Sequence, residues 1–143
     1  MPFVSVTRLR VRSILYLPRF LLYSLRSSRQ AQRSPGYLGG RLMRDARNAF
    51  WTLTLWSDAQ AMESFRVAGA HLAAMPRLLR WCDEASVVHW TQDSTILPPW
   101  VEAYERMLKQ GRPSKVHRPS PSHLACEIPA PKPGRFSADL PPA

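Results

Sequence analysis

Two histidines and a set of tryptophans are the residues of this chain whose chemistry reaches beyond packing. His71 lies in FRVAGAHLAAMP, two positions after Gly69. A glycine inside a helical pattern marks a break or joint, so the imidazole there can be aimed away from the face a continuous helix would give it. An imidazole in that position can serve as a general base in a cavity or as a haem ligand. It can equally cap backbone groups freed at the joint. His89 precedes Trp90 in ASVVHWT, and strand alternation sends it to the face opposite Val88 and Trp90. Trp51, Trp56, Trp81 and Trp90 are many for one small domain. They could wall a flat apolar pocket for a polyene, quinone or porphyrin, or they could serve core and interface packing. The site expected from residue types is therefore His71 as the catalytic group, with Trp51, Trp56, His89 and Trp90 against the substrate. Haem is the cofactor such residues would suit; otherwise none is expected.

Several classes of chemistry have no residues to carry them. No Ser/His/Asp spacing or paired-carboxylate motif is present, and Gly36, Gly39 and Gly40 match neither the dinucleotide nor the phosphate-loop pattern. Cys82 and Cys126 stand alone, without Cys/His ligand spacing, so reduced thiols and no structural metal are expected.

These side chains need elements to hold them. Phe3–Ser13 reads as a strand whose apolar phase slips near Thr7, which suggests a bulge or an exposed end. Pro18 can open a helix. From there Phe20, Leu21, Ser24, Leu25, Ser28 and Ala31 share one face, and Arg19, Arg26, Arg29 and Arg33 the other. Tyr37–Arg44 reads as a strand interrupted by Gly39-Gly40, a sign of a bulge or of another backbone close by. Ala49–Ser57 is the clearest strand, apolar or aromatic on both faces and so covered on both. Asp58 caps a helix whose stripe runs from Met62 to Cys82 with a joint at Gly69-Ala70-His71. Ala85–Thr91 is the last strand of the series. A domain over residues 1–95 is followed by an additional helix in residues 96–110, then by a Pro-rich basic tail, 111–143, whose low apolar content predicts disorder.

Strand–helix–strand twice over is the ferredoxin-like βαββαβ arrangement of an α+β fold, with both helices on one face of an antiparallel sheet. The second face also carries apolar residues, which predicts a homodimer packed face to face. The helix with Trp100 and Tyr104 is a competitor for the same face.

The order of elements, the strand FWTLTLWSD and the segment FRVAGAHLAAMPRLLRWCDEAS resemble the antibiotic-biosynthesis-monooxygenase group of dimeric α+β barrels. The narrower likeness is to short bacterial proteins described as spheroidene-monooxygenase-like. It covers residues 3–92 and rests on a W-x-D strand end at Trp56–Asp58 and an H-x3-M-P at His71–Pro76. Members of this superfamily include cofactor-free oxygenases, haem-binding and haem-degrading proteins, and proteins without known activity, so the fold alone leaves function open. The resemblance implies a monooxygenase-like protein that binds or oxidises a flat apolar molecule, with His71 as base or ligand.

Charge suggests an alternative. Of the net +10, residues 1–50 contribute ten Arg against one Asp, whereas residues 48–108 hold four Arg and seven acids. An Arg-rich helix on a non-catalytic dimer could engage an acidic partner or a membrane surface. Nucleic acid is a poorer fit, because no aromatic residues interleave the Arg stripe. The Arg8, Arg10 and Arg12 series ahead of Ile14–Leu17 faintly resembles a transit segment, but Pro18 and Arg19 break the run and no cleavage site follows. No stretch reaches the roughly 20 apolar residues of a membrane span, and a cytoplasmic location is expected.

Overall fold

The computed structural model describes residues 1–143, apart from the side chains of residues 133–135. Its elements are β1 (Phe3–Val11), α1 (Leu17–Gln32), β2 (Tyr37–Asp45), β3 (Ala49–Trp56), α2 (Ala59–Arg66), α3 (Gly69–Trp81), β4 (Cys82–Thr91), α4 (Trp100–Gln110), β5 (Arg112–Pro113), α5 (Pro121–Leu124) and β6 (Pro133–Asp139). The strands form one open antiparallel sheet in the order β5-β4-β1-β3-β2-β6. Its inner four strands have the ferredoxin-like order, and the α+β expectation holds. No helix among the described residues is long and apolar enough to cross a membrane.

The sheet is buried on both sides. Val4 and Val6 of β1, Trp51, Leu53 and Leu55 of β3, and Val88 and Trp90 of β4 make one apolar layer. Phe50, Trp56, Val11 and Cys82 belong to clusters on the other side with Phe20, Ala31, Met62, Leu78 and Trp81 of the helices. The phase slip expected near Thr7 is absent. Even-numbered residues of β1 keep to one face, and Arg8 takes the third place in that series at 1% exposure. Arg8 is tolerated there because its Nη1 donates to Glu84 Oε1 at 2.7 Å. Leu9 and Val11 simply belong to the odd face, and the register shift comes later, between Arg10 and Val11. The Gly39-Gly40 expectation is met in both forms. A bulge lies between Tyr37 and Gly39, and a Cβ on Gly40 would stand 2.6 Å from the Leu53 carbonyl oxygen.

The second face is covered from within the chain. Ala103 and Met107 of α4 are buried against Trp51, Val88 and Trp90, with Trp100, Tyr104 and Ile128 around them. The face-to-face dimer drew its motive from an uncovered face; with α4 seated, such a dimer requires that helix to lift away.

The segment 111–143 follows α4. It returns along the sheet and is held mainly by backbone hydrogen bonds. Ser114 N–H donates to the Ala85 carbonyl, His117 N–H to Leu79 and Ser120 N–H to Asp83. β6 then pairs with β2, and Tyr37 Oη donates to the Leu140 carbonyl at 2.6 Å. An unpaired sheet edge offers a row of donors and acceptors to any chain that can lie along it, and Val116, Ile128 and Leu140 add apolar contacts.

Candidate functional site: a hydroxyl-lined cavity under three helices

Between the sheet and the helices α1, α2 and α3 lies a cavity of about 180 Å³. Ser5, Thr7, Thr52 and Thr54 line it from the strands, and Ser24, Ser27 and Ser28 from α1. These short side chains leave the space open. Cores normally pack to crystal-like density with aliphatic side chains, and hydroxyl-bearing residues at facing positions cannot fill the same gap. Phe65, Met62, Met75, Leu78 and Leu42 complete an apolar wall. Ser27 Oγ is buried without a hydrogen-bond partner, an uncommon state for a buried hydroxyl.

The α1 face that lines this cavity holds Ser24, Ser28 and Ala31 of the predicted series, but the helix is turned by part of a turn away from the leucines of that series. Phe20 and Ala31 are buried as expected, but Leu21, Leu22 and Leu25 are 46%, 44% and 49% exposed. The helix is turned so that its serines, not its leucines, meet the sheet. Ser24 and Ser28 already stand on the expected face; Ser27, three positions after Ser24, is the lining serine that the apolar series leaves out.

His71 stands among the lining residues, in the first turn of α3. Its ring packs on Phe65 with centroids 4.6 Å apart, and Nδ1 lies 3.0 Å from the Arg66 carbonyl oxygen. A carbonyl oxygen can only accept, so Nδ1 carries the proton and Nε2 keeps its lone pair. Burial pushes the His71 pKa below its ordinary value, and the Arg66 charge adds to this against the opposing carbonyl bond. The ring is therefore neutral near pH 7, with one nitrogen able to take a proton. The helix-capping role and the cavity role coincide in one side chain.

Gln30 of α1, unremarked in the sequence, positions this histidine. Its Nε2 donates to the Ala68 carbonyl at 2.8 Å and the Phe65 carbonyl at 3.2 Å, while its Oε1 accepts from the His71 N–H at 2.7 Å. One carboxamide thus satisfies both sides of the α2–α3 joint. Gly69 adopts φ +56° beside it, and any Cβ there would press on the carboxamide at 3.2 Å. Gln30→Ala is expected to lower stability by about 0.5–1.5 kcal/mol, the net worth of a hydrogen bond whose partners can turn to water. Denaturant unfolding followed by tryptophan fluorescence measures it.

Neither a protein-family model nor a curated protein sequence matches the chain. Solved structures do. SnoaB, a cofactor-independent oxygenase from Streptomyces nogalater, superposes with a TM-score of 0.54 at 20% identity, over 66% of this chain and 96% of its own. An antibiotic biosynthesis monooxygenase gives 0.57 at 13% identity, over 64% and 99%. Rv0793 from Mycobacterium tuberculosis gives 0.59 at 11%, over 66% and 97%. The chain has the antibiotic-biosynthesis-monooxygenase-like fold. These three structures are matched over nearly their whole length on about two thirds of this chain, so about a third of this chain lies outside each of these matches.

On this monooxygenase-like fold the aromatic residues expected at the site are dispersed. Trp51 and Trp90 face the α4 side, away from the cavity. Trp51 Nε1 donates to Asp45 Oδ2 at 3.3 Å. Trp56 is buried with Tyr37 and Met62, and its Nε1 donates to Thr54 Oγ1 at 3.0 Å. His89 faces opposite Trp90 as alternation requires, but it packs on Phe3 at 5.3 Å and is not a lining residue. Strand parity separated these residues into faces; only packing showed which face holds the cavity. Haem does not fit here. A cavity of about 180 Å³ is below the roughly 300 Å³ at which pockets for drug-sized ligands begin, and a porphyrin is larger than those ligands.

Proposed function

We propose that this chain oxygenates a small, flat, apolar ketone in the cavity under α1–α3, with His71 as the general base. The observation that carries this is the His71 ring itself, tied through Nδ1 to the Arg66 carbonyl and placed in the wall of the cavity. The cofactor-independent oxygenase among the matched folds supports the choice of chemistry.

The substrate class follows from size and from the base. An apolar cavity near 150 Å³ accepts benzene, so on size alone about 180 Å³ suits one or two fused rings. A neutral imidazole removes a carbon-bound proton only where the carbanion is stabilised, as at a methylene between an aromatic ring and a carbonyl. His71 Nε2 takes that proton. The carbanion reduces molecular oxygen and forms a C–O bond, giving a peroxide that takes up the proton. Loss of water then leaves a second carbonyl, so a methylene and one O2 yield one ketone and one H2O. The free Ser27 hydroxyl is available to donate to the substrate carbonyl oxygen.

The bicyclic ketone 2-tetralone is a suitable probe. Oxygen uptake above the buffer rate is expected with the wild type. Ser27→Leu should fill the cavity and remove the orphaned hydroxyl. Its uptake is expected to fall to the buffer rate while its unfolding midpoint stays level or rises. No uptake and no binding by the wild type for any one- or two-ring ketone with an acidic methylene would remove the proposal.

A further inference from the structure

We infer that the outer face of α1, with the turn before it, is a docking surface for an anionic lipid bilayer. The inference stands independently of the oxygenase reading. Ile14 and Leu15, in the turn that leads into α1, are 77% and 82% exposed. Leu21, Leu22 and Leu25 continue the apolar series along the exposed side of the helix. Arg19, Arg26, Arg29 and Arg33 lie exposed among them. Among the described residues none of these four arginines has a salt-bridge partner, and the first acid of the chain is Asp45. Arg77 of α3 extends the charge, because it and Arg26 both lie over the Tyr23 ring, at 5.1 Å and 5.7 Å.

Each alternative occupant fails on one property of this face. A second copy would set four unpaired arginines against four. Duplex nucleic acid would satisfy the charge but leave five aliphatic side chains against phosphate and water. A bilayer surface satisfies both. The aliphatic side chains enter the acyl boundary and the guanidinium groups spread to lipid phosphates, as in helices that lie in the interfacial plane. Leu21 and Leu25 lie on one flank of the helix and Arg19, Arg26 and Arg33 on the other, with Leu22 and Arg29 between. That arrangement places α1 parallel to the surface, while its serine face remains turned to the cavity.

Sedimentation with vesicles tests this on the full chain. Vesicles of phosphatidylcholine mixed with phosphatidylglycerol should bind the protein, and phosphatidylcholine alone should bind it far less. Each arginine near an anionic surface contributes about five-fold, so replacing Arg19, Arg26, Arg29 and Arg33 with Gln should reduce partitioning by roughly 100-fold or more. Replacing Ile14, Leu15 and Leu22 with Ser should reduce it by a similar or greater factor, and added salt should weaken the wild type. Circular dichroism establishes that each variant is folded, and the single substitutions Arg29→Gln and Leu22→Ser provide milder versions. Equal binding to both vesicle types, no binding to anionic vesicles at low salt, or binding by the Arg→Gln variant equal to wild type would each overturn the inference. Tighter binding to duplex DNA that survives the Ile14/Leu15/Leu22 substitutions would overturn it in favour of nucleic acid.

Discussion

His71→Ala is expected to reduce the oxygenation rate by about 10²–10⁴-fold, the usual contribution of a positioned general base, while ligand affinity changes only a few-fold. The ring contributes little of the cavity's apolar wall, which Phe65, Met62, Met75 and Leu78 supply, so binding and turnover should separate. The pH profile carries the assignment further. A base must be unprotonated to act, and burial holds the His71 pKa below its ordinary 6.5. The rate should therefore be level through neutral pH and fall only in acid, below that value. The acid limb should be missing from whatever rate His71→Ala retains. Exchange of the acidic methylene protons of 2-tetralone into D2O, measured by NMR without oxygen, isolates the proton-transfer step. Equal exchange rates in wild type and His71→Ala would exclude His71 as the base and leave it a cap for the α2–α3 joint.

Glu84→Ala should lower stability by roughly 3–5 kcal/mol, the loss that follows when a buried ion pair is broken from one side. Arg8 and Glu84 are 1% and 6% exposed, beneath α4 and the returning tail. Glu84 accepts from Arg8 Nη1 at 2.7 Å and from Ser120 Oγ at 2.9 Å. Arg8 Nε and Nη2 are already buried without partners, so the variant would leave a buried cation with no anion. A paired Arg8→Met, Glu84→Leu variant should recover much of the loss, because well-packed apolar pairs replace buried ion pairs at little net change. Acidity reports on the same pair. Burial raises the Glu84 pKa, but the hydrogen bonds from Arg8 and Ser120 and the charges of Arg8 and Arg10 outweigh it and leave the carboxyl below its ordinary 4.5. A depressed carboxyl pKa stabilises the fold above the unfolded value and loses that contribution as pH falls through the folded value. Wild-type stability should therefore decline in acid below about pH 4.5, and Glu84→Gln should show less of that decline. Denaturant melts across that range measure both effects, and identical acid dependence in the two proteins would refute the role given to Glu84.

The amino-acid sequence by itself determined the order of elements through α4 and the arrangement of the inner four strands. Period-two patterning with apolar residues on both faces of Ala49–Trp56, the breaks at Gly36 and Gly69, and the Asp58 cap are local signals, and each acts within a few residues. For the same reason it separated His89 from Val88 and Trp90, and placed a close backbone approach at Gly40. The tertiary structure alone decided the rest. The apolar series of α1 put Leu21 and Leu25 on the same inward face as Ser24 and Ser28; packing turned the helix so that Ser27 joined those serines inside and the leucines moved to the exposed flank. The pairing of the serine face with Thr52 and Thr54 across the cavity is a long-range match that no window along the chain contains. Arg8 reads as an exposed residue until Glu84, seventy-six positions away, neutralises it in the interior. Residues 111–143 read as a polar tail, and their hydrogen bonds to the edges of β4 and β2 are long-range pairings that apolar content does not measure. Gln30 gains its role only when helix packing brings its carboxamide to the joint below His71. Local preference sets which elements form; which faces meet depends on contacts between residues far apart in sequence, and the cavity lies between those faces.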